Sequence, residues 1–118
     1  MAKTVIHIFH GDEASLSAGS NVADRVRQVA ADQSVQLEVF CFGPAQGALG
    51  RAGESDAATA FNDQIDRLIA SGVAVGACVN AAIGAGNESA LRDRGVELQF
   101  ARDAFVRWAL EGAAVISF

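Results

Sequence analysis

Five short runs of apolar, largely β-branched residues recur along the chain, separated by longer stretches whose apolar residues fall every third or fourth position. Thr4-Val5-Ile6-His7-Ile8-Phe9 is the first. Its lack of polar alternation fits a strand buried on both faces of a parallel sheet. Gly11-Asp12-Glu13 breaks it, and a helix is expected from about Ser15 to Ala31, with Val22, Val26 and Val29 on one face. Val35 to Phe42 reads as the second strand, closed by Gly43-Pro44. The glycine-rich stretch from Ala45 to Asp56 reads as a loop with at most a short helix.

Ser55 or Asp56 can cap the next helix, because a short polar side chain accepts from free first-turn amides. Phe61, Ile65, Leu68 and Ile69 form its apolar face, Asp63 and Arg67 a pair on the other, and Gly72 its end. Val73 to Cys78 is the third strand, followed by a loop from Cys78 to Glu88. Asn87 can cap a short helix through Arg94. Val96 to Phe100 is the fourth strand. Asp103 can cap a last helix with a Phe105, Trp108 and Ala109 stripe, and Ala113 to Phe118 is the fifth strand. Strands alternating with helices predict one α/β domain over residues 1–118, a three-layer α/β/α sandwich with a mostly parallel five-stranded sheet. Ligands in such folds sit beyond the carboxyl ends of the strands. That directs attention to His10–Ser15, Phe42–Gly53, Cys78–Glu88, Ala101-Arg102 and the chain end.

Composition adds three constraints. The net charge is −5, and no Lys/Arg cluster stands out, which argues against nucleic-acid binding. No apolar run approaches the length needed to cross a bilayer, so no membrane role is expected. Two cysteines make no disulfide framework and no leader is evident, which points to the cytoplasm and reduced thiols. Hydrophobic residues make up 51% and charged residues only 19%, a balance that suits buried subunit interfaces as well as a large core.

Candidate chemistry is sparse. Gly84-Ala85-Gly86 lacks the Lys-Ser/Thr of a phosphate loop and reads as a plain flexible turn. His7 and His10 lie three apart, on opposite faces of a regular strand, so no metal site is expected, nor any other cofactor. No serine stands in a nucleophile elbow. Cys41, between Phe40 and Phe42, reads as core. Cys78 stands at a strand's carboxyl end, where a thiol is open to a ligand and nearby amides favour its thiolate. It is the candidate catalytic residue. Asn80, His10 and Asp12, at the same edge, are the candidate ligand-binding residues.

Val5-Ile6-His7-Ile8-Phe9-His10-Gly11-Asp12, Val73 to Cys78 followed by Val79-Asn80-Ala81-Ala82 and Gly86, and the tail Gly95-Val96-Glu97 and Leu110 to Ile116 together carry a resemblance. In pattern the chain resembles, over nearly its whole length, the DsrE/DsrF-like sulfur-relay family. The resemblance implies a three-layer α/β domain assembling into homotrimers, hexamers or related hetero-oligomers. It also implies a persulfide carried on Cys78 and exchanged with a sulfur donor or acceptor protein. Many sulfur carriers of the family have an arginine shortly before the glycine matched to Gly86; here those positions are Gly84 and Ala85. The alternative expectation is a non-catalytic homo-oligomeric module that binds a small metabolite or partner protein at the carboxyl edge.

Overall fold

The computed structural model describes all 118 residues. In chain order the elements are β1 (Ala2–Ile8), α1 (Glu13–Ala30), β2 (Val35–Cys41), α2 (Gly43–Ala48), α3 (Asp56–Ala70) and β3 (Ala74–Cys78). There follow α4 (Val79–Ala85), α5 (Glu88–Arg94), β4 (Glu97–Gln99), α6 (Ala101–Glu111) and β5 (Ala114–Ser117). All five strands are parallel in one sheet of order β4-β3-β2-β1-β5. The expected α/β/α sandwich is therefore present. No helix is long and apolar enough to cross a membrane.

The strand order explains how the layers fill. From β1 to β4 the chain steps one way across the sheet, and right-handed crossovers then put every intervening helix on one face. The core on that face draws on Leu16 and Ala23 of α1, Ala45 of α2, Phe61, Ile65 and Leu68 of α3, Ala82 of α4 and Leu91 of α5. The β4-to-β5 connection runs back across three strands, so the same handedness puts α6 on the opposite face. There it is the sole helix, with a smaller core of Val5, Phe40, Cys78, Ala101, Ala104 and Trp108.

Four local expectations change. The buried face of α1 is Leu16, Gly19, Ser20, Ala23 and Ala30; Val22 and Val26 flank it and Val29 is exposed. Gly19 sets that rotation, because a Cβ there would lie 2.8 Å from Ile8 Cγ1, so the helix approaches β1 at its smallest residue. In α3, Ser55 does accept from the Ala58 amide at 3.0 Å, but Arg67 turns to Gln64 rather than Asp63. The segment expected as a loop after Cys78 is α4, ended by Gly86 at φ 72°. Alanine's helix propensity suffices once Ala82 is buried. Finally, α6 starts at Ala101, with Phe100 as N-cap and Asp103 inside the first turn. Its buried stripe is Ala101, Ala104 and Trp108, while Phe105 and Ala109 are exposed.

A buried ionic network fastens α6 to the sheet. Glu38 on β2 takes Lys3 Nζ at 2.7 Å, Arg107 Nη2 at 2.8 Å and Trp108 Nε1 at 2.9 Å. Burial pushes the Glu38 carboxyl up, but hydrogen bonds from Arg107, Lys3 and Trp108, with the Lys3 charge, outweigh it and bring its pKa down to about 2.

Candidate thiol site

Cys78 ends β3 and is the N-cap of α4, with backbone φ −76° and ψ 125°. Side chains alternate along a strand. Ala77 therefore enters the larger core and Cys78 faces the α6 layer. Its peptide is clamped by Gln46 of α2. Gln46 Nε2 donates to the Cys78 carbonyl at 2.8 Å, and the Cys78 amide donates to Gln46 Oε1 at 3.0 Å. Both amide ends of a buried glutamine are thus satisfied by one residue, which fixes the backbone that carries the thiol.

The thiol opens onto a cavity of about 190 Å³ lined by Cys78, Asn80, Phe100, Ala101 and Arg102. The N-terminal ends of two helices, α4 and α6, meet there, and in α6 the Asp103 and Ala104 amides donate to the Phe100 carbonyl at 3.0 and 3.1 Å. Arg102 supplies the single formal charge in the lining. Its guanidinium lies 5.2 Å from the Phe100 ring centroid and its Nε is 3.4 Å from Asp103 Oδ1. A small recess beside a sulfur, with a guanidinium and an amide side chain at its rim, can hold the end of a thiol or persulfide; it is too small for a nucleotide.

Of the sequence-predicted residues, Asn80 shares this recess with Cys78. His10 and Asp12 stand at the same edge of the sheet but after β1, with β2 in between, and do not line it. Asp12 is engaged as the N-cap of α1. Its carboxylate accepts from Ser15 Oγ at 2.8 Å and the Ser15 amide at 3.1 Å, bonds that hold its pKa below the usual carboxylate range. His10 is exposed, and its amide donates to the Phe118 carbonyl. His7 is half-buried, with Nδ1 3.1 Å from Ser117 Oγ. Its Nε2 is buried without a partner among Phe9, Phe40, Phe105 and Trp108. Burial, with the His10 charge, lowers its pKa. Cys41 is fully buried in the larger core, and desolvation raises its pKa to about 12.

Sequence reasoning missed Gln46 and undervalued Arg102. The one signal for Arg102 was its place just after a strand. That β4 lies beside β3, bringing its carboxyl end next to Cys78, is a property of the strand order.

No family model matches the chain, and no curated protein matches it in sequence. Solved structures do match in fold. One is the conserved protein of unknown function BT1422 from Bacteroides thetaiotaomicron, with a TM-score of 0.77 at 14% identity over 98% of this chain and 94% of that one. Another is the protein of unknown function MTH1491 from Methanobacterium thermoautotrophicum, with a TM-score of 0.72 at 25% identity over the whole of both chains. The ychN protein from E. coli has a TM-score of 0.68 at 23% identity, again over the whole of both chains. What this chain has in common with the three is the fold.

Proposed function

We propose that this protein is a sulfur carrier of the DsrE/DsrF-like, sulfurtransferase-like kind, holding a persulfide on Cys78 for relay between partner proteins in a reducing cytoplasm. The observation that carries this reading is the placement of the Cys78 thiol on a small recess shared with Arg102, Asn80 and the first turns of two helices. In this reading the Arg102 guanidinium and the Asn80 side chain at the rim hold the outer sulfur of the persulfide by charge and hydrogen bonding. In this reading Arg102, on α6, takes the part of the family's usual arginine.

The chemistry balances without an external oxidant. The Cys78 thiolate attacks the outer sulfur of a donor persulfide R–S–SH. The Cys78 Sγ–S bond forms, the donor S–S bond breaks, and R–S⁻ leaves with the electron pair. Transfer onward is the same step in reverse, with an acceptor thiolate as nucleophile and Cys78 as leaving group. Burial of Cys78 to 7% exposure limits contact of the persulfide with solvent between the two events.

The carrier is expected to act as a homo-oligomer, a trimer or hexamer. Supporting this are Val106 and Leu110 on α6, 60% and 84% exposed, and the whole of β5, an edge strand whose Val115 and Ile116 are exposed. Light scattering at micromolar concentration tests it: a monomer mass would refute the assembly.

The function itself is tested by loading the reduced protein with a low-molecular-weight persulfide and weighing the intact chain. A gain of one sulfur atom is expected in the wild type and in Cys41→Ser, and none in Cys78→Ser. An equal gain in Cys78→Ser, or none in the wild type, would sink the reading. Arg102→Gln is expected to slow loading by about fivefold.

A further inference from the structure

Strand β3 runs one residue past its neighbour β2. The register of β2 with β3 ends at Cys41 opposite Ala77, whereas β4 still pairs with Cys78 through Gln99. Past Cys41 the chain leaves the sheet through Phe42 and Gly43, the latter at φ 57°, into α2. On that side the Cys78 N–H and C=O have no strand to pair with, and buried backbone groups need partners. Gln46 fills the gap. Its carboxamide has the donor and acceptor of a peptide group. It donates to the Cys78 carbonyl at 2.8 Å and accepts from the Cys78 amide at 3.0 Å. The side chain adds one rung to the ladder where β2 has already turned away.

That rung is firmly based. Gln46 is 4% exposed, Ala45 and Ala48 beside it lie in the larger core, and the Ala48 carbonyl accepts from Asn62 Nδ2 at 3.0 Å. No connecting residue separates β3 from α4, so Cys78 has no slack on its other side. Without the rung, Cys78 would be a strand end held from β4 alone, and such ends open locally at low cost. With it, the thiol stays on the α6 face, in the wall of its recess.

We propose that Gln46 sets the size selectivity of the thiol site. By holding the Cys78 peptide it keeps Sγ within the recess, where an atom on a single CH₂ stem reaches it and one in a ring or on a branched carbon does not. The substrate class is then the primary thiols and persulfides. Gln46 acts through Cys78 and is a positioning residue. Its role depends on the relay reading for the identity of the incoming sulfur alone, since confinement of Sγ can be measured with alkylating reagents, which involve no persulfide.

The test compares iodoacetamide, whose reacting carbon is a CH₂, with N-phenylmaleimide, whose reacting carbon lies in a ring. Rates at Cys78 of the full chain are read by peptide mapping and divided by those at the same residue in urea, which removes the reagents' own reactivities. In the wild type the ring reagent is expected to lose at least about tenfold against iodoacetamide. Gln46→Met keeps the side chain's length and loses both hydrogen bonds. There the discrimination is expected to shrink to about threefold or less, with Cys41 still unlabelled. Cys41, fully buried, reports global opening. No discrimination in the wild type, or the same discrimination in Gln46→Met, overturns the proposal. So does labelling of Cys41 in step with Cys78 in Gln46→Met, because Gln46 would then support the whole fold and not the thiol. Hydrogen exchange of the wild type needs no variant. The Cys78 amide is expected to exchange at least about a hundredfold more slowly than an unstructured amide, and exchange at the unstructured rate overturns the proposal. Persulfide loading that fails while the discrimination holds sinks the relay and leaves Gln46 in its role; loss of discrimination with loading intact does the reverse.

Discussion

The two faces of the sheet are built to different standards. On one, α1 and α3 with three shorter helices close over a core that contains Phe61, Ile65 and Leu68 at 1% exposure or less. On the other, α6 alone covers a sheet five strands wide, and side chains such as Phe9 and Phe105 stay more than a third exposed. Each face has one cysteine. Cys41 is sealed in the first; Cys78 lies on the second and opens to a recess. The thin face also has His7 and the ionic network around Glu38. The difference follows from a single reversal in strand order. It teaches that the faces are held together differently: the closed face relies on a large apolar core, and the open one on a smaller core with a buried ionic network, beside which Cys78 and His7 stand.

The widest gap between the faces should appear in thiol reactivity. With Cys41 raised to about 12 and buried, alkylation of the native protein should modify Cys78 at least about a hundredfold faster, and Cys41 only after unfolding. Peptide mapping of a time course measures it; comparable rates would erase the distinction. Next in size is the ionic network. Glu38→Ala leaves Lys3 and Arg107 without their main partner and should cost about 3–5 kcal/mol in urea unfolding.

The wild-type pH dependence tests the same group. The Glu38 carboxyl titrates at about 2 in the folded chain against 4.5 unfolded. Its contribution, about 3 kcal/mol, is therefore complete above pH 4.5 and lost as pH falls toward 2. A Glu38→Gln chain should lack that acid slope. Packing gives a smaller contrast. Phe61→Ala should cost about 3–5 kcal/mol and Phe105→Ala about 1 kcal/mol or less. Equal losses would mean that the open face is closed in solution, as an oligomer would make it.

The smallest expected effect belongs to His7. Its folded pKa is depressed, so the unfolded chain binds the proton more readily and stability declines as pH falls below the ordinary 6.5. His7→Phe should flatten that decline, read from chemical denaturation between neutral and mildly acid pH.

How much of this was written in the sequence depends on the range of each interaction. The strands, the α3 stripe and the Ser55 cap depend on neighbours within a few positions, and they were legible. The short helix α4 was not, because seven residues rich in alanine and glycine show no clear period; burial of Ala82 and the turn at Gly86 hold it. The rotation of α1 hinged on Gly19 meeting Ile8, a contact between elements. At the site, Cys78 and Asn80 were visible as a strand end and its successor. Arg102 showed only as a residue after a strand and Gln46 only within a strand-end segment; their places beside Cys78 were not legible, since one depends on β4 lying beside β3 and the other reaches across 32 positions to a single peptide.

That glutamine has a mechanical consequence for the proposed relay. A residue gripped at both its amide and its carbonyl cannot swing out on a flexible arm. Whatever sulfur Cys78 holds must be delivered and collected at one stationary port about 190 Å³ in size. Donor and acceptor would then take turns at the same opening, and each would inhibit the other by occupying it.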